Sequence, residues 1–428
     1  MKLNLKQTLK VGLAFLSISA FWQLYDFCVP LILRDTYALG DTNSGLVMAM
    51  DNIVALFLLP FFGTLSDKCN LRIGKRMPFI LFGTAMAVTL ILTLPYVISH
   101  GSLTVFLVML ALLLLAMGTY RSPAVALMPD VTPKPLRSKG NAIINLMGTL
   151  GGIITLLLIN VAVIRTPDEA GVLRSDYTYL FYAVAIVMAV CIITLFLTVK
   201  ERKIALPAEQ ETPAASDGPT STMQKMRPEV KRSLILILCS VSLWFMAYNA
   251  VTTAFSKYAM SVWGIGESQA ANCVLLGTVG AVISYWPVGI VSSRFGRRKV
   301  ILFGVAMLVF CFVIGATMQQ MSWLAYVMFA LVGVGWASIN VNSFPMVVEI
   351  ASGSDTGKYT GYYYTFSMAA QVITPILSGA LLEHVGYWTL FPYSAVLACC
   401  AFVTMLFVRH GDAKPEAKRG LEALDTED

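Results

Sequence analysis

Residues 63–83 read GTLSDKCNLRIGKRMPFILFG, and the fold turns on this stretch. It separates two apolar runs, 45–66 and 77–98, and places Asp67, Lys68, Arg72, Lys75 and Arg76 within ten residues. A shorter version returns at 289–304 as GIVSSRFGRRKVILFG. Gly63 answers Gly289, Ser66 answers Ser292, Gly74 answers Gly296, and Lys75-Arg76 answers Arg297-Arg298. Both copies close on Ile-Leu-Phe-Gly. A repeat set about half a chain apart implies two related halves. A basic hairpin between apolar runs implies that the halves lie in a membrane, with this loop in the cytoplasm.

Composition points the same way. The chain has 428 residues, 57% hydrophobic and 13% charged, against roughly 25% charged in soluble domains. A membrane-crossing helix takes about 20 apolar residues. The sequence accommodates twelve such spans, at about 11–33, 45–66, 77–98, 103–128, 141–164, 178–199, 233–256, 269–292, 300–318, 322–346, 359–382 and 387–408. Residues 1–199 form an N-terminal six-helix bundle and 233–410 a C-terminal one. Between them, 200–232 is rich in proline and charge and reads as a cytoplasmic linker. Residues 411–428 read as a charged cytoplasmic tail, and 165–177 as a polar external loop. The start, with Lys2, Lys6 and Lys10 before an apolar run, resembles a signal peptide. That run continues to Leu33, too long for one, so it reads as an uncleaved first helix.

The net charge of +7 is a matter of placement, not a nucleic-acid signature. On this topology 26 Lys and Arg residues fall in cytoplasmic segments, and only Arg34, Arg165, Arg174 and Lys257 in external loops. That bias puts both termini in the cytoplasm. Of the eight cysteines, Cys28, Cys191, Cys239, Cys311, Cys399 and Cys400 sit in apolar runs without metal-ligand spacing and read as small core residues.

With these residues in view, the chain resembles the major facilitator superfamily. Gly63-x-x-Ser66-Asp67-Lys68 and Gly74-Lys75-Arg76 follow helix 2, and Ser293-Arg-Phe-Gly-Arg-Arg298 follows helix 8. The implied fold is all-α, with twelve transmembrane helices in two pseudo-symmetric six-helix bundles. Shorter strings resemble the glycoside–pentoside–hexuronide:cation symporters and the sucrose transporters. They are Pro60-Phe-Phe-Gly63, Arg72-Ile-Gly-Lys-Arg-Met-Pro-Phe79, and Ala126-Leu-Met-Pro-Asp130 with Asn141-Ala142. The chain also departs from that group. The paired helix-2 acids of melibiose-type members fall on Ala55 and Leu59 here, with Asp51 one turn earlier. Their helix-4 acid falls on Arg121, and the sucrose-transporter arginine of that helix on Val125.

Three charges lie well inside spans: Asp26, Asp51 and Arg121. Each costs at least ~2.5–3.5 kcal/mol to insert, so such residues are functional unless they form a structural pair or snorkel. At 1.5 Å per residue, Asp26 and Asp51 both lie about 6 Å outward of their helix centres. Arg121 lies roughly 10–15 Å lower. Two acids at one depth repel each other, which favours holding a proton on one of them. Trp22 and Tyr25 share a face with Asp26, Trp244, Tyr248 and Asn249 occupy the middle of helix 7, and Gln371 that of helix 11. Aromatic faces stack on sugar C–H surfaces, and amides or acids bind hydroxyls. Ordinary helix packing or an interfacial aromatic belt is the alternative for each. The expected substrate residues are therefore Trp22, Tyr25, Asp26, Arg121, Trp244, Tyr248, Asn249 and Gln371, with Asp51 as the coupling residue. Family resemblance makes Asp67, Arg76, Asp130, Arg137, Arg298 and Glu349 gate charges that tie the halves together when the cavity faces outward. Positive-inside topology alone is the alternative.

No pair of helical His ligands, Ser-His-Asp set or Walker motif occurs, so an enzyme or ATP-driven pump lacks its parts. The leading expectation is a monomeric plasma-membrane symporter of a sugar or glycoside, working by alternating access without a cofactor or nucleic-acid partner. Its coupling ion is H+. Na+ is disfavoured because hard cations want several oxygen ligands and the second helix-2 acid is missing. A proton-driven exporter of drugs or metabolites and a non-transporting sensor are the rivals.

Overall fold

The structure, a computed structural model, describes residues 4–132, 137–167, 173–201, 227–350 and 356–411. It contains α1 (Leu5–Asp35), α2 (Asp41–Asp67), α3 (Met77–His100), α4 (Leu103–Val131), α5 (Arg137–Ala162) and α6 (Thr178–Thr198). A second set follows: α7 (Pro228–Val262), α8 (Glu267–Phe295), α9 (Arg297–Thr317), α10 (Trp323–Glu349), α11 (Thr356–His384) and α12 (Leu390–Leu406). Twelve spans among the described residues are long and apolar enough to cross a membrane. The side bearing the start of α1 and the 63–76 hairpin is called the terminal side below, and the opposite one the far side.

The expected spans all recur, mostly extended by a turn. Helices are the economical answer in lipid because every backbone group is satisfied within the segment. The extension matters at α7, which runs on to Val262 and carries Lys257 inside the helix, not in a loop. The segment expected as a polar external loop at 165–177 contains an antiparallel pair, β1 (Ile164–Pro167) and β2 (Leu173–Asp176), with Ile164 opposite Asp176. Most of the linker, 202–226, and the tail from 412 lie outside the described residues.

The repeat read from sequence is a repeat of packing. In the first half α1 packs on α5 and α6, α3 on α4 and α6, and α2 on α4. In the second half α7 packs on α11 and α12, α9 on α10 and α12, and α8 on α10. Across the halves α2 meets α11, α5 meets α8, and α1 meets α7. Exchanging the halves converts the first of these contacts into the second. The matched glycines of the hairpins share a reason too: Gly74 has φ +129° and Gly296 φ +90°, a region that side chains avoid. Lipid supplies no hydrophobic drive between helices, so association relies on close packing. At Gly151 of α5 an added Cβ would lie 2.1 Å from the Leu16 carbonyl oxygen of α1.

Cys28, Cys191 and Cys311 are buried as expected, and Cys239 is partly so. Cys399 and Cys400 are exposed instead. α12 packs through the face carrying Ala398, Ala401 and Met405, which turns both cysteines outward.

Candidate functional site

A cavity of about 350 Å³ lies between the halves, walled by α1, α5 and α8. Its polar liners recur every three or four residues, the spacing of one helix face. α1 gives Ser19, Trp22, Gln23 and Asp26, α5 gives Asn145 and Thr149, and α8 gives Thr278 and Tyr285. A ligand held here touches both halves.

Asp26 is the carboxylate of this cavity. Asp51 and Arg121 lie near enough to act on its charge, and Arg121 acts on Asp51 as well. The Arg121 guanidinium carbon sits 5.5 Å from the centroid of the Trp22 ring, a cation–π distance. Asp51 Oδ1 accepts from Asn52 N at 2.6 Å and Asn52 Nδ2 at 2.8 Å. The Trp22 and Tyr25 rings meet edge to face at 5.5 Å. Trp22 Nε1 and Tyr25 Oη are buried with no protein partner among the described residues. An unsatisfied buried polar atom costs about 1–3 kcal/mol, and in native proteins such exceptions call for a reason.

Of the expected substrate residues, Trp22 and Asp26 line this cavity; Tyr25 and Arg121 do not, nor do the four on α7 and α11. Trp244 is fully buried, with its Nε1 unpartnered among the described residues. Tyr248 stacks on Trp336 with centroids 3.9 Å apart. Asn249 Nδ2 donates to the Phe245 carbonyl of its own helix at 2.8 Å, and Gln371 Nε2 to that of Ser367 at 3.4 Å.

On the terminal side the expected gate charges pair within their own halves. Arg76 binds Asp67 and, at 2.9 Å, Asp130, and donates to Ser66 Oγ at 2.5 Å. Burial alone would lower the pKa of Arg76; the hydrogen bonds and charge of Asp130 and Asp67 outweigh it and hold it above the ordinary value. Buried Glu201 caps the start of α3, accepting from the N–H groups of Lys75, Arg76 and Met77 at 2.7–3.1 Å. In the second half Arg297 pairs with Glu349 at 2.5 Å, and Arg298 donates to the Leu406 carbonyl at 2.6 Å. Arg76–Asp130 and Arg297–Glu349 thus do one job twice, tying the hairpin to the end of the fourth helix. The side chain of Arg137 lies outside the described residues.

On the far side the pairs join the halves. Asp41 of α2 and Lys257 of α7 meet at 2.7 Å, with side chains only 8% and 5% exposed. Arg34 of α1 donates to Ser261 Oγ at 2.9 Å. Arg165 of β1 pairs with Glu267 at the start of α8 at 2.6 Å, and Ser175 of β2 donates to the same carboxylate. The short hairpin is therefore a clasp from one half onto the other. Glu383 of α11 accepts from Thr42 N at 2.7 Å, and the Asn160 and Asn272 amides bond at 3.0 Å. α2 and α11 touch backbone to backbone: a Cβ on Gly45 would lie 2.0 Å from the Pro375 carbonyl oxygen, and one on Gly379 2.3 Å from that of Asp41.

Two six-helix bundles wired alike, with a polar cavity between them, form the major facilitator fold, and the sequence agrees: residues 11–395 match the MFS/sugar transport protein family. The chain belongs to that family. It is a multi-pass membrane transporter. Over 398 residues, 90% of each chain, it is 23% identical to the multidrug resistance protein MdtG of Proteus mirabilis. It is 28% identical over 138 residues to a sucrose transport protein of Arabidopsis thaliana, spanning 28% of this chain but only 23% of that one. Among solved structures, the nucleoside transporter NupG superposes with a TM-score of 0.71 at 15% identity, covering 95% of this chain and 100% of its own. An auto-inhibited peptide transporter of the POT family gives 0.68 at 12% identity, covering 99% and 100%. At such identities these two report the fold alone.

For this facilitator, sequence reasoning missed Gln23, Asn145, Thr149, Thr278 and Tyr285, although three- and four-residue polar spacing within spans was there to find them. It also missed the far-side clasp. A signal existed there as well. Arg34, Arg165 and Lys257 are exceptions to the basic bias, and each bonds across the halves.

Proposed function

We propose that this transporter carries a sugar or glycoside together with H+ across the plasma membrane by alternating access, as a monomer with both termini in the cytoplasm. The observation that carries the reading is the cavity shared by both halves. There a carboxylate, Asp26, sits beside Trp22, with further amides and hydroxyls around it. Acid, amide and hydroxyl groups suit a polyhydroxyl ligand, and the indole offers it a stacking face. The basic residues gather on the terminal side, which makes the far side external. With the halves joined on the far side, the conformation is inward-facing. Asp51 is the coupling carboxylate, close to Asp26 but outside the cavity wall.

Uptake into proteoliposomes tests this. Purified protein should accumulate a member of a mono- and disaccharide panel against its gradient when the pH gradient is inward, with no need for Na+. Asp51→Asn should abolish uphill uptake while leaving equilibrium exchange, whereas Asp26→Asn should weaken binding itself. Uptake that requires Na+ and ignores the pH gradient overturns the proton assignment. Full pH-driven accumulation by Asp51→Asn overturns the residue assignment.

Proton-driven drug export is the second reading, favoured by the match with MdtG over 90% of both chains. Lipophilic drugs that accumulate only in inverted vesicles, with no sugar moved in either orientation, would replace the first reading by this one.

A further inference from the structure

α8 and α9 both pack closely along α10 but touch each other far less. The result is a groove of about 380 Å³ in the terminal-side part of the second half. Val291 and Phe295 of α8 form one wall, Phe303 of α9 the other, and Val334 and Ser338 of α10 the floor. Val291, Phe295 and Phe303 are all exposed, so the groove faces outward from the bundle. Its two hydroxyls turn back to their own helices: Ser284 Oγ donates to the Gly280 carbonyl at 2.6 Å and Ser338 Oγ to that of Val334 at 2.9 Å. What the groove offers along its length is hydrocarbon. From Phe295 down to Ser284 it descends about 16 Å at 1.5 Å per residue. Half of a bilayer's hydrocarbon core is about 15 Å.

The mouth is charged. Arg294 at the end of α8 and Lys299 in the first turn of α9 are exposed, and neither has an acidic partner among the described residues. Lys299 itself lines the groove. The intervening Arg297 is engaged by Glu349. The start of α9 adds its own positive helix end. In the first half the Ile-Leu-Phe-Gly register puts Pro78 where Lys299 stands, so the charge belongs to one half only. Ser284 in the groove and Tyr285 in the central cavity are neighbours on α8, so one helix serves both spaces.

We infer that this groove binds an anionic phospholipid of the terminal-side leaflet, with an acyl chain in the slot and the phosphate between Lys299 and Arg294. The assignment rests on membrane embedding alone and is independent of what is transported.

Native mass spectrometry of the purified protein tests it, with phosphatidylglycerol and phosphatidylcholine of the same acyl chains as probes. Wild type should retain phosphatidylglycerol preferentially. The double variant Arg294→Ala/Lys299→Ala should lose that preference, on the order of fivefold per charge removed, with phosphatidylcholine unchanged. Val291→Trp, a change at an exposed wall position, should fill the slot and reduce retention of both lipids. Lys231→Ala, an exposed lysine on the same side, should change nothing. Persistence of the preference in the double variant overturns the proposal. So does an equal loss in Lys231→Ala, undiminished retention in Val291→Trp, or displacement of the lipid by inorganic phosphate alone.

Discussion

Asp41 reaches out of α2 to Lys257 in the other half, whereas Arg76, at the opposite end of the same hairpin of helices, turns to Asp67 and Asp130 of its own half. Other described pairs between helices repeat the contrast. Far-side bonds such as Arg165–Glu267 and Thr42–Glu383 cross between halves; terminal-side bonds such as Arg297–Glu349 do not. Bonds within a half travel with it as a rigid body. Bonds across the halves must break whenever the cavity opens to the far side. In the alternating-access cycle proposed above, the far-side bonds are the ones that must break, while the terminal-side bonds described here brace each bundle. A buried ion pair suits a switch because its desolvation cost and Coulomb attraction nearly cancel. It holds one state without making that state too deep to leave.

The largest expected effect comes from sterics. Gly45→Val places a Cβ 2.0 Å from the Pro375 carbonyl, a backbone atom that cannot yield. The far side should then fail to close, and hydrogen exchange at the starts of α2 and α8 should rise to the level of an open mouth. Closed-state protection there would break the claim that backbone contact seals this side.

Next comes charge. Asp41→Asn leaves Lys257 buried and uncompensated, but only when the far side is closed. Removing one partner of a buried pair costs about 3–5 kcal/mol, so the equilibrium should move toward far-side opening by on the order of a hundredfold to a few thousandfold. The double variant Asp41→Asn/Lys257→Met should recover much of the closed population. Spectroscopic distances between labels on the far ends of α2 and α11 read both. Equal opening in single and double variants would mean that the pair is not the latch.

Arg76→Ala sharpens the comparison from the other end and should have the smallest effect. Its bonds lie within one half, so the far-side equilibrium should not move. Turnover should fall a few-fold, with ligand affinity nearly unchanged. An affinity loss in proportion to transport would place Arg76 nearer the ligand than the geometry does.

How much of this was legible beforehand differs by level. Spans, halves, hairpins and the three intramembrane charges could all be read from residues 63–83, their repeat at 289–304 and the counting of apolar runs. Each follows from a local demand. A backbone in lipid must satisfy itself within about twenty residues, and a left-handed turn calls for a glycine wherever it recurs, as at Gly74 and Gly296. Which charges meet was not legible. Arg298 was singled out as a gate charge on family resemblance; the structure adds its neighbour Arg297, 2.5 Å from Glu349. Lys257, counted as one more loop cation, proved to be half of a buried bridge to a residue 216 positions away. Only the packing of one rigid bundle against the other brings such residues together. That placement also decided which face of α1 became cavity wall and which side of the molecule is sealed. A span's own composition is silent on these points, because lipid and protein neighbours are equally apolar and ask the same of its side chains.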